Sequence, residues 1–301
     1  MRRVLVAPIS FGIGDLVVSL PAIQALTVAG NHRAEQAWLL ARSPAQRRLA
    51  PRIGGLAGCV DEASFLFDDR DQLMDLRDHP IQRNFWWGST AFEKEFGPLD
   101  INDILQRICD DMGIAADFSR PIPLDAHPRP ELSHSVLLVT ETDGVDKTWP
   151  AERWAAIAVE LVSMGLEVRQ VTRSGCTPAM RATGITELHV PTLGDAVDVL
   201  TSCRAVIGVD TGLTHIAVQQ GTPTVHICRR GSVYFRPWDH CRVLRGDRCT
   251  DECLAGEAAY AYNERVSLRD FRPHPRACPS GVPCMNGTTP ERATALIEEL
   301  L

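Results

Sequence analysis

The pattern of apolar and polar positions divides the chain into two series of strands and helices. In the first, Val4 to Ile9 is a short apolar run that predicts a strand. The loop Ser10 to Gly14 follows, and Asp15 to Ala29 (DLVVSLPAIQALTVA) is apolar at helical spacing, with Pro21 inside it predicting a kink or break. Trp38 to Ala41 predicts a second strand. Asp68 to Asp78 holds five aspartates and two arginines and reads as a solvated helix or loop face. Ile101 to Met112 repeats at helical spacing, and Gly113 is placed to stop it.

Pro121, Pro123, Pro128 and Pro130 then mark an extended linker. Beyond it the pattern predicts a strand at Ser135 to Thr140, a helix from Pro150 to Met164 ended by Gly165, and a strand at Leu166 to Val171. A helix over Asp195 to Cys203, a strand over Ala205 to Val209, a helix over Thr214 to Gln220 and a strand over Thr224 to Ile227 follow. A last helix starts with Thr289 as cap and Pro290 as its first residue. Strands alternating with helices imply parallel sheets covered by helices. We therefore divide the chain into an N-terminal unit, residues 1–128, and a C-terminal unit, residues 129–301.

Composition narrows the class. The chain has 301 residues, 45% hydrophobic and 23% charged, which is ordinary for a globular protein and excludes a collagen, a coiled coil or a disordered chain. No apolar run reaches the roughly 18 residues of a membrane span. The apolar run at the N-terminus is too short for a signal peptide, so the expected location is the cytoplasm, with a peripheral contact at the inner membrane face left open. The net charge of -7 argues against a nucleic-acid partner. Only Lys94 and Lys147 of the 31 basic residues are lysines. Residues 1–128 carry 13 basic and 17 acidic side chains, which does not favour a strongly anionic acceptor. Arg42, Arg47, Arg48 and Arg52 form one local basic cluster that is either an anion site or a solvated helix face.

Three loops at strand ends carry candidate chemistry. The first is Ser10-Phe11-Gly12-Ile13-Gly14-Asp15. Gly12 and Gly14 let backbone amides approach a ligand at a helix start, and Asp15 is either a cap of that helix or a carboxylate facing a cleft. Val17 stands where a dinucleotide fingerprint needs its third glycine. The second loop runs from Thr140 to Pro150, where Thr142, Gly144 and Lys147 before a helix suit an anion. Asp146 replaces the glycine that a P-loop requires. The third is Asp210-Thr211-Gly212-Leu213-Thr214-His215, in which amides at a helix start could hold a phosphate. His215 reads either as a phosphate donor or as a satisfied core histidine. Trp149 and Trp154 read as the inner face of their helix, and Phe85-Trp86-Trp87 as core or a sugar-stacking surface.

Taken together, GDLVVSLPAIQAL, DKTWPAERW and VDTGLTHIAVQQGTPTV, in this order, resemble glycosyltransferase family 9, the bacterial heptosyltransferases that use ADP-heptose. The resemblance implies an α/β glycosyltransferase-B fold: two Rossmann-like domains facing across a cleft, an acceptor side and a donor side. It implies inverting transfer with no cofactor for catalysis. By motif position Asp15 matches the general base, Lys147 a lysine on donor phosphate, and Asp210 a carboxylate on the donor sugar. Thr211, Gly212, Leu213, Thr214 and His215 match the pyrophosphate loop, and Thr142 lies near a phosphate-binding threonine. The expected partners are a nucleotide-diphosphate sugar, ADP-heptose, and an acceptor that is a lipopolysaccharide core, a protein or a small molecule. The alternatives are another glycosyltransferase-B activity, such as a sugar-nucleotide epimerase or a transferase with a UDP or GDP donor, or a binding protein without turnover. One departure is plain: the family's acidic residue after the second strand of the donor domain is missing from Thr172-Arg173-Ser174-Gly175-Cys176-Thr177.

Ten cysteines are many for this class. Cys59, Cys109, Cys176, Cys203, Cys228 and Cys241 are scattered and read as small buried hydrophobes. Cys249, Cys253, Cys278 and Cys284 cluster in a stretch rich in Arg, Asp, Gly and Pro, and four thiolates could hold a structural zinc or iron there. Free thiols or disulfides are the other readings, the latter disfavoured in a reducing compartment. Gly256 excludes a radical-SAM triplet.

Overall fold

The computed structural model describes residues 2–33, 35–78, 99–142, 147–172, 175, 177–229, 234–246, 285 and 287–301. These residues build two wholly parallel sheets. The first contains β1 (Arg3–Ala7), β2 (Gln36–Ala41), β3 (Gly58–Asp61) and β4 (Asp71–Asp75) in the order β3-β2-β1-β4. The second contains β5 (Ser135–Val139), β6 (Glu167–Thr172), β7 (Thr186–His189), β8 (Ala205–Val209), β9 (Thr224–Cys228) and β10 (Cys241–Arg245) in the order β10-β9-β8-β5-β6-β7. Counted from its own first strand, the second sheet reads 3-2-1-4-5-6, the doubly wound order, and the first sheet reads 3-2-1-4. In such sheets a ligand lies beyond the carboxyl ends of the strands, where the order reverses. The reversals fall between β1 and β4 and between β5 and β8.

The central strands of the second sheet are buried along their whole length, as their uninterrupted apolar sequences SVLLV and AVIGV require for strands covered on both faces. The expected break in the first helical run falls at Ser19, between α1 (Ile13–Val18) and α2 (Leu20–Arg33). Pro21 is then the second residue of α2, where a missing N–H costs no hydrogen bond. The shorter α3 (Pro44–Leu49) starts at a Ser43 cap. Asp100 caps α4 (Ile101–Asp111) through the amides of Asn102 and Asp103. Pro150 is the residue before α5 (Ala151–Ser163), one position earlier than the sequence suggested. After α6 (Pro178–Arg181) come α7 (Leu193–Ser202), α8 (Gly212–Gln219) and α9 (Pro290–Glu298), the last capped by Thr289 as expected.

One stretch corrects the sequence reading. Asp68 to Asp78 is not a solvated helix or loop face: it contains β4 and a turn of 3-10 helix, Leu76–Asp78. Its charges are partly consumed by pairing. Arg3 forks onto Asp71, with Nε and Nη2 at 2.7 and 2.9 Å from the two carboxylate oxygens. Met74 is half-buried within β4, and Leu76 is fully buried just beyond it.

The two sheets share a core. Val6, Leu16, Leu20 and Leu39 from the first half form one cluster with Leu137, Val139, Val197, Ile216 and Ala217 from the second. A separate cluster behind the second sheet holds Trp149 and Trp154, edge to face at 4.9 Å, which confirms that both lie on the inner side. The proline-rich segment is docked rather than loose: Leu124 N–H donates to Gln220 Oε1 at 2.7 Å and Gln219 Nε2 to the Ile122 carbonyl at 3.1 Å. Arg52 of the first half forks onto Asp198 of α7 at 2.9 and 3.1 Å. In return, buried Arg236 reaches from the second half to the Val18 carbonyl at 2.8 Å.

Candidate active site at two strand-end loops

The loop after β1 and the loop after β8 meet, and glycine makes the approach possible. A Cβ on Gly14 would lie 2.8 Å from His215 Cδ2, and one on Gly212 2.8 Å from the Ile13 Cβ. Any larger residue at either position would push the two halves apart. This gives Gly14 a packing reason beside the ligand role assigned from sequence. Gly12 is the N-cap of α1, and its N–H donates to Asp15 Oδ2 at 2.8 Å.

Asp15 therefore caps its helix from the third helical position while standing beside the second half of the molecule. Its carboxyl is pushed above the ordinary value, chiefly by loss of water. The Gly12 amide, Lys147, His215 and a hydrogen bond from the Tyr234 hydroxyl oppose that push without cancelling it. The two readings of Asp15, cap and cleft carboxylate, are compatible, because one oxygen accepts the amide and a carboxylate has about four acceptor positions.

On the other side, Asp210 sits just past the end of β8 with almost no exposure. Lys147 Nζ lies 3.0 Å from its Oδ2, and His215 Nε2 lies 3.1 Å from its Oδ1. Burial works against the charge on Asp210, yet Lys147 and the His215 hydrogen bond, with further help from the two histidines, hold its carboxyl well below the usual range. His215 is thus both buried and bonded, and it is also a neighbour of Asp15. Thr211 occupies the cap position of α8 and Gly212 its first turn. The Thr214 hydroxyl is buried and donates to the Val209 carbonyl at 2.6 Å, so only its backbone faces the helix start. Leu213 packs at the edge of the shared core. Thr142 is half-buried beyond β5.

Two residues of this site escaped the sequence reading. His226, in the middle of β9, is fully buried with both ring nitrogens lacking hydrogen-bond partners, and its Nε2 is 4.0 Å from Asp210 Oδ1. Burial first, and then the neighbouring His215, drive its pKa down to about 3, so it is neutral at physiological pH. A polar residue inside the apolar run TVHIC was the available signal. Tyr234 reaches Asp15 from a loop with no pattern to announce it. Asp210, His215 and His226 bring three ligand-type atoms within 4.8 Å of one another, which is the one such group among the described residues. Lys147 already neutralises the carboxylate of that group. Cys249, Cys253, Cys278 and Cys284 lie outside the described residues, as do Phe85, Trp86 and Trp87.

The basic cluster proposed near the acceptor side resolves differently. Arg42 is buried and ion-paired with Glu62 and Asp75, Arg47 pairs with Asp61, and Arg52 is taken by Asp198. Three of the four charges are thus already met by carboxylates, which argues against an anion site there.

Two parallel doubly wound sheets, with their strand-end loops converging on a carboxylate, a lysine and a helix start, are the architecture of the glycosyltransferase-B fold. The sequence profile of glycosyltransferase family 9 (heptosyltransferase) matches residues 51–245, and the chain belongs to that family. Three solved structures show the same fold. A family 9 glycosyl transferase from Veillonella parvula is 13% identical, with 99% of this chain and 97% of that chain covered and a TM-score of 0.67. The iron-containing dodecameric glycosyltransferase TibC from enterotoxigenic Escherichia coli is 15% identical over 99% and 76% of the two chains, at 0.63. The Escherichia coli ADP-heptose lipopolysaccharide heptosyltransferase II is 16% identical over 100% and 98%, at 0.60. No curated protein sequence matches significantly. No helix among the described residues is long and apolar enough to cross a membrane.

Proposed function

We propose that this glycosyltransferase moves a heptosyl group from ADP-heptose to an acceptor hydroxyl, with inversion and without a metal ion. The observation that carries the reading is the convergence of Asp15 with Lys147, Asp210 and His215 across the two halves. Residues 1–128 serve as the acceptor side and residues 129–301 as the donor side. The solved relatives include Escherichia coli heptosyltransferase WaaC with ADP and TibC with an ADP-heptose, which supports ADP-heptose as the donor to test first.

The geometry suits a single displacement. Asp15, a stronger base than an ordinary carboxylate because burial raises its pKa, takes the acceptor's proton. The acceptor oxygen bonds to the anomeric carbon as the bond from that carbon to the phosphate oxygen breaks. ADP leaves carrying the negative charge. Lys147, the amides at the start of α8 and His215 stabilise that charge, with Thr142 beside them. Asp210 holds Lys147 and His215 in place and faces the donor sugar. Gly12 and Gly14 bring the base-bearing loop close to the phosphates. The acceptor is a lipopolysaccharide core, a protein or a small molecule, and the enzyme works in the cytoplasm. Cys249, Cys253, Cys278 and Cys284 are the candidate ligands of a structural zinc or iron, to be tested by metal analysis of the purified chain against Cys249→Ser.

Thermal shifts with ADP, UDP and GDP, on wild type and Lys147→Ala, test the donor assignment. Saturation at about 100 times the dissociation constant adds roughly 2.7 kcal/mol. A shift with ADP that Lys147→Ala removes is the expected result. A shift with UDP or GDP alone overturns the ADP donor.

A further inference from the structure

The chain between β9 and β10 belongs to the second half of the molecule, yet alternate side chains along it grip the first. Tyr234 packs against the cluster of Ile9, Val18, Ala22 and Phe118, and its hydroxyl donates to the Asp15 carboxylate. Two residues on, Arg236 is buried. Its Nη2 donates to the Val18 carbonyl at 2.8 Å, and its Nη1 bonds Asn102 Oδ1. Two residues further, Trp238 Nε1 donates to the Phe118 carbonyl at 3.1 Å, and the Arg236 guanidinium lies over the Trp238 ring at 4.9 Å. Pro237 and Asp239, which alternate with them, are exposed. Asp15 and Val18 both belong to α1, which runs only from Ile13 to Val18. One segment therefore holds α1 at both ends, through Tyr234 at the carboxylate near its start and through Arg236 at its last carbonyl.

We infer that Tyr234 is a positioning residue for the general base: it orients the Asp15 carboxylate from the donor half, on a segment that Arg236 and Trp238 fix to the acceptor half. This rests on Asp15 being the base. The Gly12 N–H holds one carboxylate oxygen, Oδ2, at 2.8 Å, and a carboxyl with one such bond turns easily about its last torsion. A second bond, from Tyr234, fixes the plane of the carboxylate and the direction from which it meets the acceptor's proton. Base catalysis depends on that alignment. Lys147 and His215 also face Asp15 from the donor half and act on it through charge, whereas Tyr234 acts by a directed hydrogen bond. The Tyr234 ring stands 6.2 Å from the His215 ring, so the residue that orients the base sits beside the loop assigned to the pyrophosphate.

Tyr234→Phe keeps the ring and removes only the hydroxyl. The full chain is compared as wild type, Tyr234→Phe, Asp15→Asn and the double variant, by ADP release from ADP-heptose, by calorimetry with ADP and by carbon-13 NMR titration of the side-chain carboxyls. The Asp15 signal is assigned by its absence from Asp15→Asn. Tyr234→Phe should move the Asp15 midpoint, and the acid limb of the kcat profile with it, to higher pH, because the bond that favoured the charged form is gone. It should lower kcat about 10-fold and leave ADP affinity within about 2-fold of wild type. The double variant should be no slower than Asp15→Asn by more than about 2-fold, since Tyr234 acts through Asp15. An unmoved midpoint or an unchanged kcat in Tyr234→Phe overturns the inference. So does a parallel loss of ADP affinity, the mark of a merely structural role, or a double variant in which the two losses multiply. A slow Asp15→Asn beside an unaltered Tyr234→Phe overturns this inference alone. Asp15→Asn at the wild-type rate overturns the reading of Asp15 as base, and this inference with it. Wild type that releases no ADP overturns the donor reading and both proposals that rest on it.

Discussion

Two buried charged clusters sit at strand ends in this enzyme, and they are built to different rules. In the first sheet Arg42, just past β2, has no exposed side-chain surface. Its guanidinium donates to the Pro8 carbonyl at 2.9 Å, to Glu62 at 2.5 Å and to Asp75 at 2.6 Å. One arginine thereby ties together the carboxyl ends of all four described strands. In the second sheet Asp210 gathers Lys147 and His215, with His226 beside them holding two unpartnered nitrogens. Each guanidinium nitrogen of Arg42 has its partner, and the cluster reads as a lock. The second leaves polar atoms unsatisfied, at a cost the fold tolerates where a ligand is to be met. Buried charge alone does not mark a site.

The contrast can be broken at several places. Arg42→Met removes the cation that bridges Glu62 and Asp75 and leaves them the longer contacts of Arg77 at 3.6 and 3.8 Å, so urea unfolding should show a loss of about 3 kcal/mol, the low end for a broken buried pair. A loss under about 1 kcal/mol would mean that the cluster is no lock. Lys147→Ala should weaken ADP about 10- to 100-fold by calorimetry, the worth of a charge-assisted hydrogen bond.

Asp15→Asn should act in the opposite sense on stability. A carboxyl whose folded pKa is raised binds protons more readily in the native state, so its charge burdens the fold at neutral pH and the burden lifts as pH falls through that pKa. The asparagine variant should therefore be more stable at pH 7, by on the order of 1 kcal/mol, with the gain vanishing in acid. Thermal melts from pH 4 to pH 8 check this, and a variant less stable at pH 7 contradicts it. Asp210 has the reverse sign. Its folded pKa is depressed, so its contribution is present above the unfolded value of about 3.9 and is lost only in stronger acid. Arg47→Ala breaks a largely exposed pair and should change stability by no more than about 0.5 kcal/mol.

Legibility in the sequence followed burial. The fully covered strands β1, β5, β8 and β9 announce themselves as apolar runs. The half-exposed β3 (GCVD) and β7 (TELH) do not, because a short strand with a wet face has too few apolar positions to show a period. β4 was hidden by its aspartates, whose arginine partners come from 68 and 33 residues earlier in the chain. The same limit applies to the site. Asp15, Lys147, Asp210 and His215 stand in local motifs that a sequence displays. Tyr234 and the Arg236–Val18 contact depend on which segments become neighbours, and no local motif carries that.

The central claim is that Asp15 on one half works on a donor held by Lys147, Asp210 and His215 on the other. The most direct measurement is ADP release from ADP-heptose by wild type and Asp15→Asn, with ADP affinity determined on the same samples. Asparagine keeps an acceptor for the Gly12 amide and loses the base. The account predicts ADP affinity within about 2-fold of wild type and release slowed about 100- to 10,000-fold. Unaltered release with unaltered affinity would contradict it.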